Sequence, residues 1–73
     1  GVVLNAANEE AVQHFLATPS MPFGRITEVV SDALDSVPQG PLRSIEDFER
    51  ADAEARALVR ARLGLTARAA AVP

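Results

Sequence analysis

There is no cysteine in this 73-residue chain, so neither a disulfide nor a thiolate metal site can form. Lysine is missing too. All seven basic residues are arginine, a usage that points to genome composition rather than to chemistry. The single histidine, His14, gives no metal site without cysteine unless carboxylates gather, and the carboxylates here read as solvated helix faces. The four glycines are scattered, which excludes a glycine-rich phosphate loop. Ser20, Ser31, Ser36 and Ser44 lack a nearby base, so none reads as an activated nucleophile. No apolar run approaches the roughly 18 residues needed to span a bilayer. Gly1 is followed by no basic leader and long apolar segment, and the cytoplasm is the expected compartment.

What is present suits a small globular unit. Apolar residues make up 48% of the chain, too many for a disordered segment. The formal charge is −3, which repels phosphate backbones and argues against nucleic-acid binding. One core at this length rarely supplies more than about 3–5 kcal/mol without a staple, so marginal stability is expected.

Hydrophobic spacing predicts three amphipathic helices, over about 5–17, 25–37 and 45–63. In the first, a turn of about 100° per residue puts Asn5 and Asn8 on the same side as Leu4, Val12, Phe15 and Leu16. Glu9 falls at the edge of that stripe, and Glu10, Gln13 and His14 face away. The prolines of Thr18-Pro19-Ser20-Met21-Pro22 stop the helix. The second is the cleanest: Ile26, Val29, Val30, Ala33, Leu34 and Val37 on one face, Glu28, Asp32 and Asp35 on the other. Gly24 or Thr27 must cap its start, and Pro38-Gln39-Gly40-Pro41 breaks it. The third opens on Ser44-Ile45-Glu46-Asp47, a capping box with Asp for the usual Glu. Its buried face reads Ile45, Phe48, Ala51, Ala55, Leu58, Val59 and Leu63. Gly64 is a natural left-handed stop, after which Leu65 folds back on Val59. Residues 1–65 thus form one domain, and the Ala-rich 66–73 a fraying tail. The fold class is all-α, a three-helix bundle with Phe15, Phe23 and Phe48 as its large core members. Truncating any of them is expected to cost about 3–5 kcal/mol.

Polar residues interrupt two of these stripes. A buried amide needs a partner, so Asn5 is expected to cap the first helix and Asn8 to bond a neighbouring one; a ligand-binding role is the lesser alternative. Asp52 falls by angle between Val59 and Leu63, with Arg56 one turn on. These placements imply a polar seam of Asn5, Asn8, Glu9, Asp52 and Arg56. In it Arg56 holds Asp52 and reaches Glu9, while Asn8 pairs across the interface. The seam serves helix register, or else faces a catalytic domain outside the segment.

The hexapeptide Leu4-Asn5-Ala6-Ala7-Asn8-Glu9 carries a resemblance. Ala11-Val12, Phe15-Leu16, a Pro22-Phe23-x-x-Ile26 step and Asp52-Ala53-x-Ala55-Arg56 follow it. Together they resemble the C-terminal helical domain of 1-deoxy-D-xylulose 5-phosphate reductoisomerase, an enzyme of the methylerythritol phosphate route to isoprenoids. The likeness runs from about Val3 to Leu63. It departs at the connector, which is longer here and has Gly24-Arg25 where the family has an Asp before the Ile. The resemblance implies a segment of a larger oxidoreductase that isomerises and reduces its substrate to 2-C-methyl-D-erythritol 4-phosphate with NADPH and a divalent metal, Mg or Mn. In the family the NADPH site lies in an N-terminal domain and the metal ligands in a central one. Neither falls within this sequence, so no catalytic, cofactor-binding or metal residue is carried over. Asn5, Asn8, Glu9, Asp52 and Arg56 match the family pattern as structural or docking residues. The implied partners are the catalytic and NADPH-binding domains of the parent.

Three rival readings are open to discrimination. Asp35-Ser36-Val37 loosely resembles the attachment site of an acyl carrier, but it ends a helix instead of opening one. A helix-turn-helix reader needs a basic recognition helix, whereas the third helix is acidic in its N-terminal half. A free-standing helical protein-interaction module is the stronger alternative. Either as module or as segment, the helices leave an apolar face bare, and self-association of the isolated chain is expected.

Overall fold

The computed structural model describes residues 1–18, 20–38 and 40–64. Three helices, α1 (Val2–Ala17), α2 (Gly24–Ser36) and α3 (Ile45–Arg62), pack as an all-α bundle, with no strand among the described residues. α1 lies along both of the others, which meet each other less. The expected return of Leu65 onto Val59 and the fraying of 66–73 lie outside the described residues.

α1 starts at Val2, with Gly1 at its N-cap and no side-chain cap. Asn5 is therefore inside the helix instead of capping it, and its backbone N–H donates to the Gly1 carbonyl at 3.0 Å. The buried face is Val3, Ala6, Ala7, Glu10 and Ala11. This corrects the expected stripe: Leu4, Val12 and Leu16 are exposed, Leu16 by 72%. The reason is steric. α1 is apolar most of the way round, so hydrophobicity alone does not choose its inner side. Its alanines let the neighbouring backbones come close, where a leucine line would hold them apart.

α2 buries Ile26, Val29 and Ala33, with Val37 just beyond. Neither Gly24 nor Thr27 caps it. Phe23 holds the N-cap position in helical conformation without a side-chain cap. Arg25 and Ile26 donate their N–H groups to the Pro22 and Phe23 carbonyls, each at 3.0 Å. The helix stops at Val37, which turns extended as a residue before proline must.

Ser44 caps α3 through a reciprocal box. The Asp47 N–H donates to Ser44 Oγ at 3.2 Å, and the Ser44 N–H donates to Asp47 Oδ2 at 3.2 Å. The Arg43 N–H joins at 3.0 Å. That bond and the Arg50 guanidinium hold the Asp47 carboxyl below its ordinary value. At the far end Gly64 takes φ +80°, the left-handed stop that glycine reaches without strain. Arg25 of α2 donates to the Arg62 carbonyl there, tying the two helix ends together.

Among the described residues, six of the eleven buried apolar ones are alanine, and the largest fully buried side chains are Val29 and Val59. So slight a core has no place for large rings. Phe15 packs at its edge and meets Phe23 edge-to-face, centroids 5.7 Å apart. Phe23 itself is 70% exposed, Phe48 45% and Ile45 72%. Phe23, Phe48 and Ile45 are thus rim residues, contrary to their expected place in the core.

Candidate functional site: a polar seam between α1 and α3

The one buried charged side chain among the described residues is one the helical wheel turned outward. Glu10 is 3% exposed. Burying a carboxylate is costly unless it is paired and hydrogen-bonded, and three side chains do both here. Arg60 donates from Nε to Glu10 Oε2 at 2.9 Å and from Nη2 to Oε1 at 3.4 Å. Arg56 donates from Nη1 to Oε1 at 3.3 Å. His14 Nε2 stands 2.7 Å from Oε2, one turn along the same helix. His14 is accordingly half-buried against Glu10, not a solvated residue as its wheel position suggested.

Arg56 is the hub. Its Nε donates to Asp52 Oδ1 at 2.7 Å and its Nη2 to Glu9 Oε1 at 2.9 Å, besides the bond to Glu10. One planar guanidinium thus reaches three carboxylates on two helices, with a donor from each of its three nitrogens. The bonds to Asp52 and Glu9 raise its pKa further above the already high arginine value. For Glu10 two influences oppose. Burial pushes its carboxyl up, while the bonds from Arg60 and His14, the charge of Arg60 and the bond from Arg56 pull it down. The net effect is a pKa below the ordinary value.

Of the five residues picked out from sequence, the structure brings together Glu9, Asp52 and Arg56. Asn5 and Asn8 lie exposed on the outer side of α1, and neither amide meets a side-chain partner among the described residues. The expected bond from Asn8 across the interface is not made. Glu10 and Arg60 are the members that the pattern did not yield. For Arg60 a signal was available in the spacing: it lies one turn after Arg56, so each arginine meets α1 at a successive level.

Chemically the seam is closed. Glu9, Glu10 and Asp52 are each engaged by arginine. Among the described residues no group of three or more His, Asp or Glu is placed to hold a metal ion. No helix of the described residues is long and apolar enough to cross a membrane. The arrangement can fix helix positions, through ion pairs that join α1 to α3.

Comparison with known proteins gives a consistent set of relatives. The family model of the DXP reductoisomerase C-terminal domain matches residues 1–58. The 1-deoxy-D-xylulose 5-phosphate reductoisomerase of Cupriavidus taiwanensis is 48% identical over 69 residues, 94% of this chain and 17% of that protein. That of Geobacillus kaustophilus is 48% identical over 61 residues, 84% of the chain and 16% of the relative. The Cellvibrio japonicus protein of the same name is 42% identical over 57 residues, covering 78% and 14%. No solved structure gives a significant match. The chain therefore spans about a sixth of the length of these relatives.

Proposed function

The chain belongs to the DXP reductoisomerase family, matching its C-terminal domain, and from that premise we propose that it is the helical buttress of an NADPH-dependent 1-deoxy-D-xylulose 5-phosphate reductoisomerase. The parent enzyme isomerises and reduces that sugar phosphate to 2-C-methyl-D-erythritol 4-phosphate. The segment contributes a rigid support and no reacting group. The observation that carries this reading is the closed state of the seam: its polar side chains are spent on one another, around a carboxylate only 3% exposed. We assign NADPH and the divalent metal to the rest of the parent on the strength of the family match, and give this segment no part in holding them. The remaining domains of the parent hold both. The role of Arg56, Asp52 and Glu9 is to keep α1 and α3 in register, so that the outer surface of the bundle has one shape to present.

The test is made on the whole reading frame that contains these residues. The full-length protein is expected to consume NADPH when given 1-deoxy-D-xylulose 5-phosphate and a divalent metal. The same protein cut before Gly1 is expected to lose that activity, and the 73-residue segment alone to have none. Absence of NADPH consumption by the full-length protein sinks the enzyme reading. Full activity after removal of the segment sinks the buttress.

A further inference from the structure

Resting on the reading just given, we infer that the outer side of α1 is the seat of another part of the parent chain, a segment that brings a basic side chain among apolar ones. Three adjoining hollows carry this. The first, about 350 Å³, lies between α1 and α3 and is walled by Val2, Asn5, Phe48, Glu49 and Asp52. The second, about 540 Å³, runs over Leu4, Asn5 and Asn8. The third, about 340 Å³, lies between Asn8 and the Phe23, Ile26, Val30 and Leu34 side of α2. Asn5 is shared by the first two and Asn8 by the last two, so the hollows form one band across all three helices. Exposed Leu4, Phe23 and Phe48 border it. Three of the six exposed large apolar side chains among the described residues thus fall on one continuous band, and an apolar patch of that kind marks an interaction site. The two unpartnered amides sit on its midline, ready to bond the polar backbone of an occupant.

Charge selects the occupant. The band is uncharged along α1 and α2 and acidic only at its α3 end. There Asp52 is already held by Arg56, whereas Glu49 has no cation partner among the described residues. A lysine or arginine stem lying along Phe48 with its head at Glu49 completes that end, through both ion pairing and contact with the ring face. A second copy of this chain does not: the band's own residues include no basic side chain, so two copies meeting here bring only further carboxylate. The relatives are about six times as long as the chain, and the parent supplies the missing partner.

The experiment places the photoreactive residue benzoylphenylalanine at position 8 of the full-length protein and maps the cross-linked peptide by mass spectrometry. The expected adduct is on a peptide outside these 73 residues that carries Arg or Lys beside apolar residues. A cross-linked species of twice the protein's mass with its adduct on these 73 residues identifies a second copy and overturns the inference, and so does a full-length protein that yields no adduct outside them. Glu49→Arg, at an exposed position, is expected to abolish the adduct, while Asp35→Arg on the opposite face of α2 leaves it; an unchanged yield with Glu49→Arg removes the basic side chain from the proposal. NADPH consumption is read separately. An inactive protein with the expected adduct ends the enzyme reading alone, and an active one with no adduct outside the segment ends the docking face alone.

Discussion

Replacing Glu10 by Ala removes the carboxylate on which Arg56 and Arg60 of α3 converge, and the structure sets the size of the loss. Glu10 has two short charge-assisted contacts, at 2.9 Å to Arg60 and 2.7 Å to His14, and two long ones at 3.3 and 3.4 Å. A hydrogen bond to a charged group contributes about 1.5–3 kcal/mol net. Stranding a buried charge costs about 3–5 kcal/mol, but little is stranded here. Arg56 keeps Asp52 and Glu9, and the Arg60 side chain is 51% exposed, so water takes over its guanidinium. The net cost is therefore near one full charged bond, about 2–3 kcal/mol. Set against the roughly 3–5 kcal/mol available to a single small core, that is about two-fifths of the stability or more. Urea unfolding followed by far-ultraviolet circular dichroism should show the midpoint of Glu10→Ala falling by at least about two-fifths. Glu9→Ala serves as the control: its side chain is 55% exposed, and an exposed pair is worth about 0.2–1 kcal/mol. Equal, small losses in both variants, within about 0.5 kcal/mol of zero, would show that the seam does not hold α1 to α3.

Acid gives the same group a second signature. Because the folded Glu10 carboxyl titrates below its ordinary 4.5, its contribution is complete above that value and is lost as pH falls through the lower folded one. Glu10→Gln should accordingly flatten the stability profile below pH 4.5 in denaturant titrations at stepped pH. Ser44→Ala breaks the capping box of α3 and should cost about 1 kcal/mol in the same unfolding assay, with Ser44→Thr nearly neutral. Phe23→Ala should cost only about 0.5–1.5 kcal/mol, the worth of its edge-to-face contact with Phe15, because the ring is already mostly in water. Ala11→Leu, at a fully buried position of the α1 interface, should destabilise by about 1–3 kcal/mol through overpacking, although leucine is the more hydrophobic residue and an excellent helix former.

How far the residues announced the structure differs from helix to helix. α2 was legible because its two faces differ sharply: Ile26, Val29 and Ala33 against Glu28 and Asp35 leave one way to turn. α3 was legible at its ends, where Ser44, Asp47 and Gly64 are local signals with local causes. The beginning of α3 misled, since Ile45 and Phe48 have helical spacing but lie beyond the reach of α1's short side chains. α1 misled over its whole length. Leucine, valine and phenylalanine outweigh alanine on any hydrophobicity scale, so a wheel points Leu4, Val12 and Leu16 inward. Packing weighs size as well, and Ala6, Ala7 and Ala11 allow an approach that the larger line forbids. In the seam, Arg56 with Asp52 was legible as a pair one turn apart on one helix. Glu10 was not, because its burial depends on two arginines some fifty positions away in sequence.

These two features of α1 have one cause. A helix whose inner side is alanine gains little from burial, since alanine brings few methyl groups out of water. Such a side loses the competition with a leucine side unless something else holds it in place. Glu10 is that something: it lies among the alanines, and it is tolerated there only because Arg56 and Arg60 meet it. The arginines thus decide which way α1 faces, and the larger side chains are left on the outside as a consequence. In an isolated bundle this would be a poor solution. In a domain that rests on a larger partner it is a coherent one, because the leucine side then finds its burial against the partner, and the seam guarantees that it points there.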